Sequence, residues 1–170
     1  MSTVIADVGV ANANSYVTVA EADSYFGDSF GKSLWTPATP DQKAALVITA
    51  SRTLDQYILW VGQKTNDSQS MEWPRSGALD RFGKLYPDDA IPTVVKYATF
   101  ELAYYMLENG GLSFAEQSID SVKVGSIEVD FTERSTDSGI PKFIENMIGS
   151  LGSPIIVGNN AVQNVRLERV

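Results

Sequence analysis

The sequence predicts a mainly α fold: a small helical bundle of about four helices with one β-hairpin and extended N- and C-terminal arms. Three observations carry this. Four stretches place apolar residues at helical spacing between recognisable start and stop residues; residues near 119–131 alternate apolar and polar around Gly125-Ser126; and both ends lack any helical period. A chain of 170 residues is long enough for one domain with a real core and too short for two generous ones. The expected organisation is an N-terminal arm over residues 1–17, a helical domain over 18–152 and a C-terminal arm over 153–170.

The arm over residues 1–17 mixes small, β-branched and Asn residues and reads as an extended segment or edge strand ending at Tyr16-Val17. Thr18 and Glu21 have the spacing of a capping box, which starts a short helix through about Phe30 with Ala22, Tyr25, Phe26 and Phe30 on its apolar face. Thr39, Pro40 and Gln42 supply the N-cap, first-turn proline and capping-box partner of a second helix running to about Trp60. Leu46, Val47, Ala50, Leu54, Tyr57, Ile58 and Val61 fall on one arc of that helix and form its core face, and Gly62 is its expected stop.

A polar excursion over residues 63–70 returns through Gln69, Met71 and Glu72 to Trp73-Pro74-Arg75. Proline fixes its own φ, lacks an amide donor and disfavours the α region for the residue before it, so this is a shaped loop rather than helix. Gly, Pro and charges of both signs make residues 77–89 a surface loop. Ile91-Pro92 opens the third helix, which runs to about Glu108 and stops at Gly110-Gly111. Its apolar residues form two stripes, Ile91, Val94, Val95, Ala98, Leu102, Tyr105 and Met106 on one side and Tyr97, Phe100, Tyr104 and Leu107 on the other. A helix covered on both sides is either central or sealed by a neighbouring subunit. Residues 119–131 follow as the hairpin, and Pro141 starts a fourth helix bearing Phe143, Ile144, Met147, Ile148 and Leu151 and ended by glycines 149 and 152. The tail holds Ile155-Ile156-Val157 and Val165-Arg166-Leu167, apolar groups that need a surface to dock on.

Composition excludes several function classes. Thirteen Lys and Arg against 21 Asp and Glu give a net charge of -8 and a pI near 4.5, with no basic run of the kind phosphate neutralisation requires. The absence of Cys and His removes disulfides, thiolate chemistry and the commonest metal ligand and general base. No cofactor and no enzymatic activity are expected. Glu101 and Glu108 share a polar seam of the third helix, but carboxylates two turns apart make a poor acid-base pair. The stretch Gly27 to Ser33 mimics a phosphate loop yet is one residue short between its glycines and follows a helix. Ser29 and Lys32 match a Ser-x-x-Lys pair without the companion motifs of that enzyme class. Neither Asp88-Asp89 nor the group Asp120, Glu128 and Asp130 has calcium-loop spacing. Trp73 beside Arg75 offers a base-stacking pair or, alternatively, an anchor for a loop or protein interface. No apolar run approaches the roughly 20 residues that span a bilayer, so no membrane partner is expected and synthesis is expected in the cytoplasm.

Four places in order along the chain resemble the family of tailed-phage head-to-tail connector (adaptor) proteins, many of which carry the label DnaT-like single-stranded-DNA-binding protein. They are Asn14-Ser15-Tyr16-Val17 with Glu21-Ala22-Asp23 and Tyr25-Phe26; Trp60, Gly62, Gln69, Trp73, Pro74 and Arg75; Ile91-Pro92 with Ala98 and Glu101; and the late hairpin followed by the helix at Pro141. The resemblance implies a virion protein that forms a ring, a dodecamer in this family, below the portal, extends the DNA channel and docks the tail or next neck protein. Its partners would be itself, the portal protein, a tail or neck protein, and double-stranded DNA passing without tight binding. The alternative is a single-stranded-DNA-binding protein of phage replication. On the connector reading Trp60, Gly62, Gln69, Trp73, Pro74 and Arg75 form a structural loop, and Tyr97, Phe100, Tyr104, Leu107, Ile155, Ile156, Val157, Val165, Arg166 and Leu167 are candidates for a subunit or portal interface.

Overall fold

The computed structural model describes residues 3–111, the backbone of residues 122–124 and 127–129, and residues 139–155. Their elements run α1 (Val19–Gly27), α2 (Pro40–Tyr57), β1 (Ile58–Trp60), β2 (Gln63–Lys64), β3 (Arg75–Ser76), α3 (Thr93–Asn109), β4 (Val122–Val124), β5 (Ile127–Val129), α4 (Lys142–Ile148), a 3-10 turn (Gly149–Leu151) and β6 (Gly152–Pro154). The chain is mainly α, with small antiparallel pairs β1–β6, β2–β3 and the hairpin β4–β5.

Both capping boxes form. Thr18 Oγ1 accepts the Glu21 amide at 3.1 Å while the Glu21 carboxylate accepts the Thr18 amide at 2.7 Å, and Thr39 with Gln42 repeats the exchange. The first helix ends at Gly27 rather than near residue 30, because the Ser29 hydroxyl donates to the Tyr25 carbonyl at 2.7 Å and the chain turns away. Phe30, expected on the apolar face, is fully exposed. The second helix also stops early. Ile58 is extended at φ -111 and ψ 125, and Ile58 to Trp60 leave the helix to pair with β6 in the register Ile58↔Pro154, Leu59↔Ser153, Trp60↔Gly152. Gly152 makes that register fit, since a Cβ there would lie 2.5 Å from Ile58 Cγ2 and 3.1 Å from the Leu59 carbonyl. Ile58 is buried as expected, whereas Val61, assigned to the same core face, lies 39% exposed on the far side of the departure from helix. Gly62 is therefore a turn residue after β1 and not a helix stop; it sits at φ +75, and an added Cβ would fall 2.3 Å from the Ser76 carbonyl.

The third helix starts on Pro92 and ends on left-handed Gly110, as its sequence requires. It occupies the centre: Val95, Ala98, Leu102 and Met106 are buried on one side, Phe100 and Tyr104 on the other. Both apolar stripes are thus covered largely by the same chain, α2 lying against one and α1 with Trp35 filling in around the other through the Phe26, Phe100 and Tyr104 rings. The late hairpin pairs Val122↔Val129 and Val124↔Ile127, and α4 buries Ile144 and Ile148. Residues 3–17 form turns and extended segments but no strand, and the end of this stretch is anchored in the core, with Tyr16 and Val17 fully enclosed. Tyr16 N donates to Ser51 Oγ at 3.0 Å, and Ser51 in turn donates to Val47 O within α2. β6 carries ordered pairing to Pro154, past the expected start of the C-terminal arm at residue 153, and Ile155 N donates to the Tyr57 carbonyl at 2.7 Å.

Candidate functional site

The residues of the Trp-Pro-Arg loop come together as one knot. Trp73 packs edge-on against Trp60 with ring centroids 5.7 Å apart, and both indoles are buried, Trp73 at 1% exposure. The Trp73–Pro74 peptide is cis. Arg75 is 8% exposed and lies among main-chain acceptors: Nε donates to Val61 O at 2.8 Å, Nη2 to Gly62 O at 2.7 Å, and Nη1 to Glu72 O at 3.2 Å and Glu72 Oε2 at 2.6 Å. A guanidinium fork suits this task because its fixed donors reach several carbonyls at once. Gln69, also buried, closes the other side by donating from Nε2 to Met71 O and Pro74 O and accepting from Asn66 N.

Beneath the knot sits a residue the sequence reading missed. Asp55, on the last turn of α2, accepts from the Tyr16 hydroxyl and from Glu72 N at 3.1 Å, joining the N-terminal segment, α2 and the loop at one carboxyl group. Burial pushes its pKa up to about 6, and the Glu72 charge adds to the rise while the donated hydrogen bonds oppose it. Burial, with the neighbouring carboxylate, also pushes the Tyr16 hydroxyl well above its ordinary range. The Trp60 indole nitrogen lies near Asp55 without meeting hydrogen-bond geometry, and Trp73 Nε1 likewise has no acceptor. The sole sequence signal for Asp55 is an acidic residue set between core residues Leu54 and Ile58.

A second feature is an open cleft of about 530 Å³ between α1 and α3, lined by Glu21, Tyr25, Asp28, Tyr97 and Phe100 among others. Tyr25 stacks on Phe100 at 4.8 Å and meets Tyr97 at 5.2 Å. Burial tends to raise the Glu21 pKa, but Lys96 at 2.7 Å and the Thr18 bonds outweigh it and hold the carboxyl below its usual range. Burial raises the Tyr25 pKa, and the hydroxyl donates to Glu101 Oε1 at 2.9 Å. Glu101 also binds Lys32 at 2.7 Å, and that ammonium lies 4.3 Å from the centre of the Tyr104 ring. Glu101 is therefore consumed by structural partners, and nothing pairs it with Glu108.

The candidate interface residues scatter. Phe100 and Tyr104 are 4% exposed under their own chain's α1 and Trp35, so they offer no outer surface; this corrects their assignment, and the reason is that the helix is central. Leu107 is half-buried, whereas Tyr97 is 44% and Ile155 40% exposed. Ile156, Val157, Val165, Arg166 and Leu167 lie outside the described residues. Among the described residues no cluster is placed to hold a metal ion, and no helix is long and apolar enough to cross a membrane.

A family model described as "Putative DnaT-like ssDNA binding protein" matches residues 1–170. No curated protein and no solved structure matches.

Proposed function

The chain belongs to the DnaT-like ssDNA binding protein family over its full length, and from that premise we propose that it acts as a structural assembly protein, a head-to-tail adaptor of a tailed phage. In this role copies form a ring below the portal that extends the DNA channel and receives the tail or next neck protein. The observation that carries the choice is the enclosure of Trp73 and Arg75: the pair best suited to stacking a base is spent on holding its own loop. Electrostatics agree. Lys32, Lys43, Lys64, Arg75, Lys96 and Lys142 are all paired with carboxylates of the same chain, which leaves Arg52, Arg81 and Lys84 as the described cations without an ion pair in a chain of net charge -8. An acidic channel wall favours sliding of packaged DNA over capture.

The family description favours a second reading, direct binding of single-stranded DNA. Fluorescence anisotropy of a labelled oligonucleotide across a salt series separates the two. The adaptor reading expects nothing tighter than the non-specific range of about 10⁻⁴–10⁻⁶ M at physiological salt. Nanomolar affinity with a steep salt slope would establish the second reading and remove the first.

A further inference from the structure

Two described surfaces of this chain are complementary to each other and unengaged within it. The loop between the bridged residues Leu79 and Leu85 is an apolar, cationic knob: Phe82 is 88% exposed, Leu85 61% and Leu79 45%. Arg81 and Lys84 have no ion-pair partner among the described residues, although most of the described cations do. The loop's own acid, Asp80, is turned inward; its Oδ1 accepts the amides of Phe82 and Lys84, both at 2.8 Å. The knob is therefore a shaped turn, held to the 3-10 turn by Ser150 Oγ donating to Leu79 O, and not a loose excursion.

The α1–α3 cleft carries one charge of the opposite sign, because its Lys96 is paired with Glu21 and Asp28 is left over. The Asp28 carboxylate has no partner among the described residues, the Tyr97 ring is 44% exposed, and fully exposed Phe30 follows directly after the cleft's Ser29. Further along, α3 already demonstrates how it holds a cation: Lys32 is gripped between the Glu101 carboxylate and the Tyr104 ring face. The exposure of Phe82 means that the knob does not fill its own chain's cleft.

We propose that the 79–85 knob of one copy seats in the α1–α3 cleft of a second copy, Phe82 against the Tyr97 ring and Arg81 or Lys84 beside Asp28. The two patches share no residue, so a contact made once per pair of copies is heterologous and propagates around a ring or along a filament. A contact built on one loop buries less than the roughly 1,200 Å² of a stable interface, so free copies associate weakly and assembly needs a template that holds several together. The inference deepens the ring reading above and rests on it for closure, but the pairing itself is a property of purified protein.

The chain's lack of cysteine makes the test direct. One preparation carries Ser24→Cys in the cleft, a second Lys84→Cys in the knob, and a control carries Gln56→Cys on the exposed side of α2. At high protein concentration the cleft and knob variants should cross-link to each other about tenfold faster than either does with the control, and Phe82→Asp in the knob chain should abolish the excess. Charge exchange gives the second arm: Asp28→Arg alone, or Arg81→Asp with Lys84→Asp, should weaken self-association severalfold, and mixing the two chains should restore it. Equal cross-linking with the control, or no rescue on mixing, overturns the contact. A positive result with a chain absent from phage particles would leave the contact standing and remove the adaptor reading alone.

Discussion

Replacing Arg75 by alanine separates a structural knot from a nucleic-acid site most sharply. The side chain is enclosed, and its removal leaves the Val61 and Gly62 carbonyls without their donor and the Glu72 carboxylate without its closest counter-charge. An unsatisfied buried acceptor costs about 1–3 kcal/mol, and breaking a buried pair by deleting one partner costs about 3–5 kcal/mol. Glu72 is about one-third exposed and also binds Lys64 at 3.0 Å, so its share is screened and the lower part of that range applies. The expected loss is thus about 3–4 kcal/mol, a large fraction of the roughly 5–15 kcal/mol that holds a domain together. It corresponds to a fall of about 6–16 °C in melting temperature for a chain of this size. Urea unfolding followed by tryptophan fluorescence is the assay, because Trp60 and Trp73 sit on the knot. Arg75→Lys should recover only part of the loss, since a point charge cannot reach the same carbonyls as a fork. A change below about 1 kcal/mol in Arg75→Ala would refute the reasoning that the guanidinium holds the loop.

Three further outcomes follow from the same geometry. Gly62→Ala should destabilise by more than the roughly 1–3 kcal/mol of a left-handed non-glycine residue, because the new methyl also meets the Ser76 carbonyl; chemical denaturation reads it directly. Asp55 has a folded pKa of about 6 against an unfolded value near 3.9. The folded state therefore binds more protons between those values, so the Asp55 contribution is most favourable below about pH 4 and is lost as pH rises through 6, by roughly 2–3 kcal/mol. Glu21 and Asp23, whose pKa values are lowered, act in the opposite sense and lose stability as pH falls through their folded values. Comparing stability against pH for the native chain and Asp55→Asn isolates the term: the variant should lack the decline between pH 4 and 6, and a parallel curve counts against the assignment. Finally, deleting residues 156–170 should leave circular dichroism and thermal unfolding nearly unchanged while preventing assembly into particles. Deleting residues 153–170 should also lower the melting temperature, because it removes most of β6 from β1.

Much of the helical frame was legible because its signals are local. Thr18 with Glu21, Thr39 with Gln42, Pro92 and Gly110 each act within a turn of their own position, and each marks an observed helix end. The places that misread are set by distant partners. Ile58 continues the apolar arc of α2, and only the pairing of Trp60 with Gly152, from the far end of the chain, pulls this stretch into a strand. Phe30 had the right spacing for the first helix, but the Ser29 hydroxyl and the glycines around it ended the helix first. Within the knot the sequence marked Trp73, Pro74 and Arg75 as a shaped loop, whereas Asp55 was hidden because a single acid on a helix carries no pattern until Tyr16 and Glu72 are brought to it. The two stripes of α3 left its surroundings open between the chain itself and a neighbour; the burial of Phe100 and Tyr104 places it at the centre.

The central claim is that this chain is a building block of the phage neck, and the most direct measurement is an asymmetric cryo-electron-microscopy reconstruction of purified virions with mass spectrometry of the same particles. The account expects the chain in the particle, with the helical domain fitting a ring of density between portal and tail. Particles that contain no copy of the chain, while the protein is recovered from infected cells on single-stranded DNA, would contradict it.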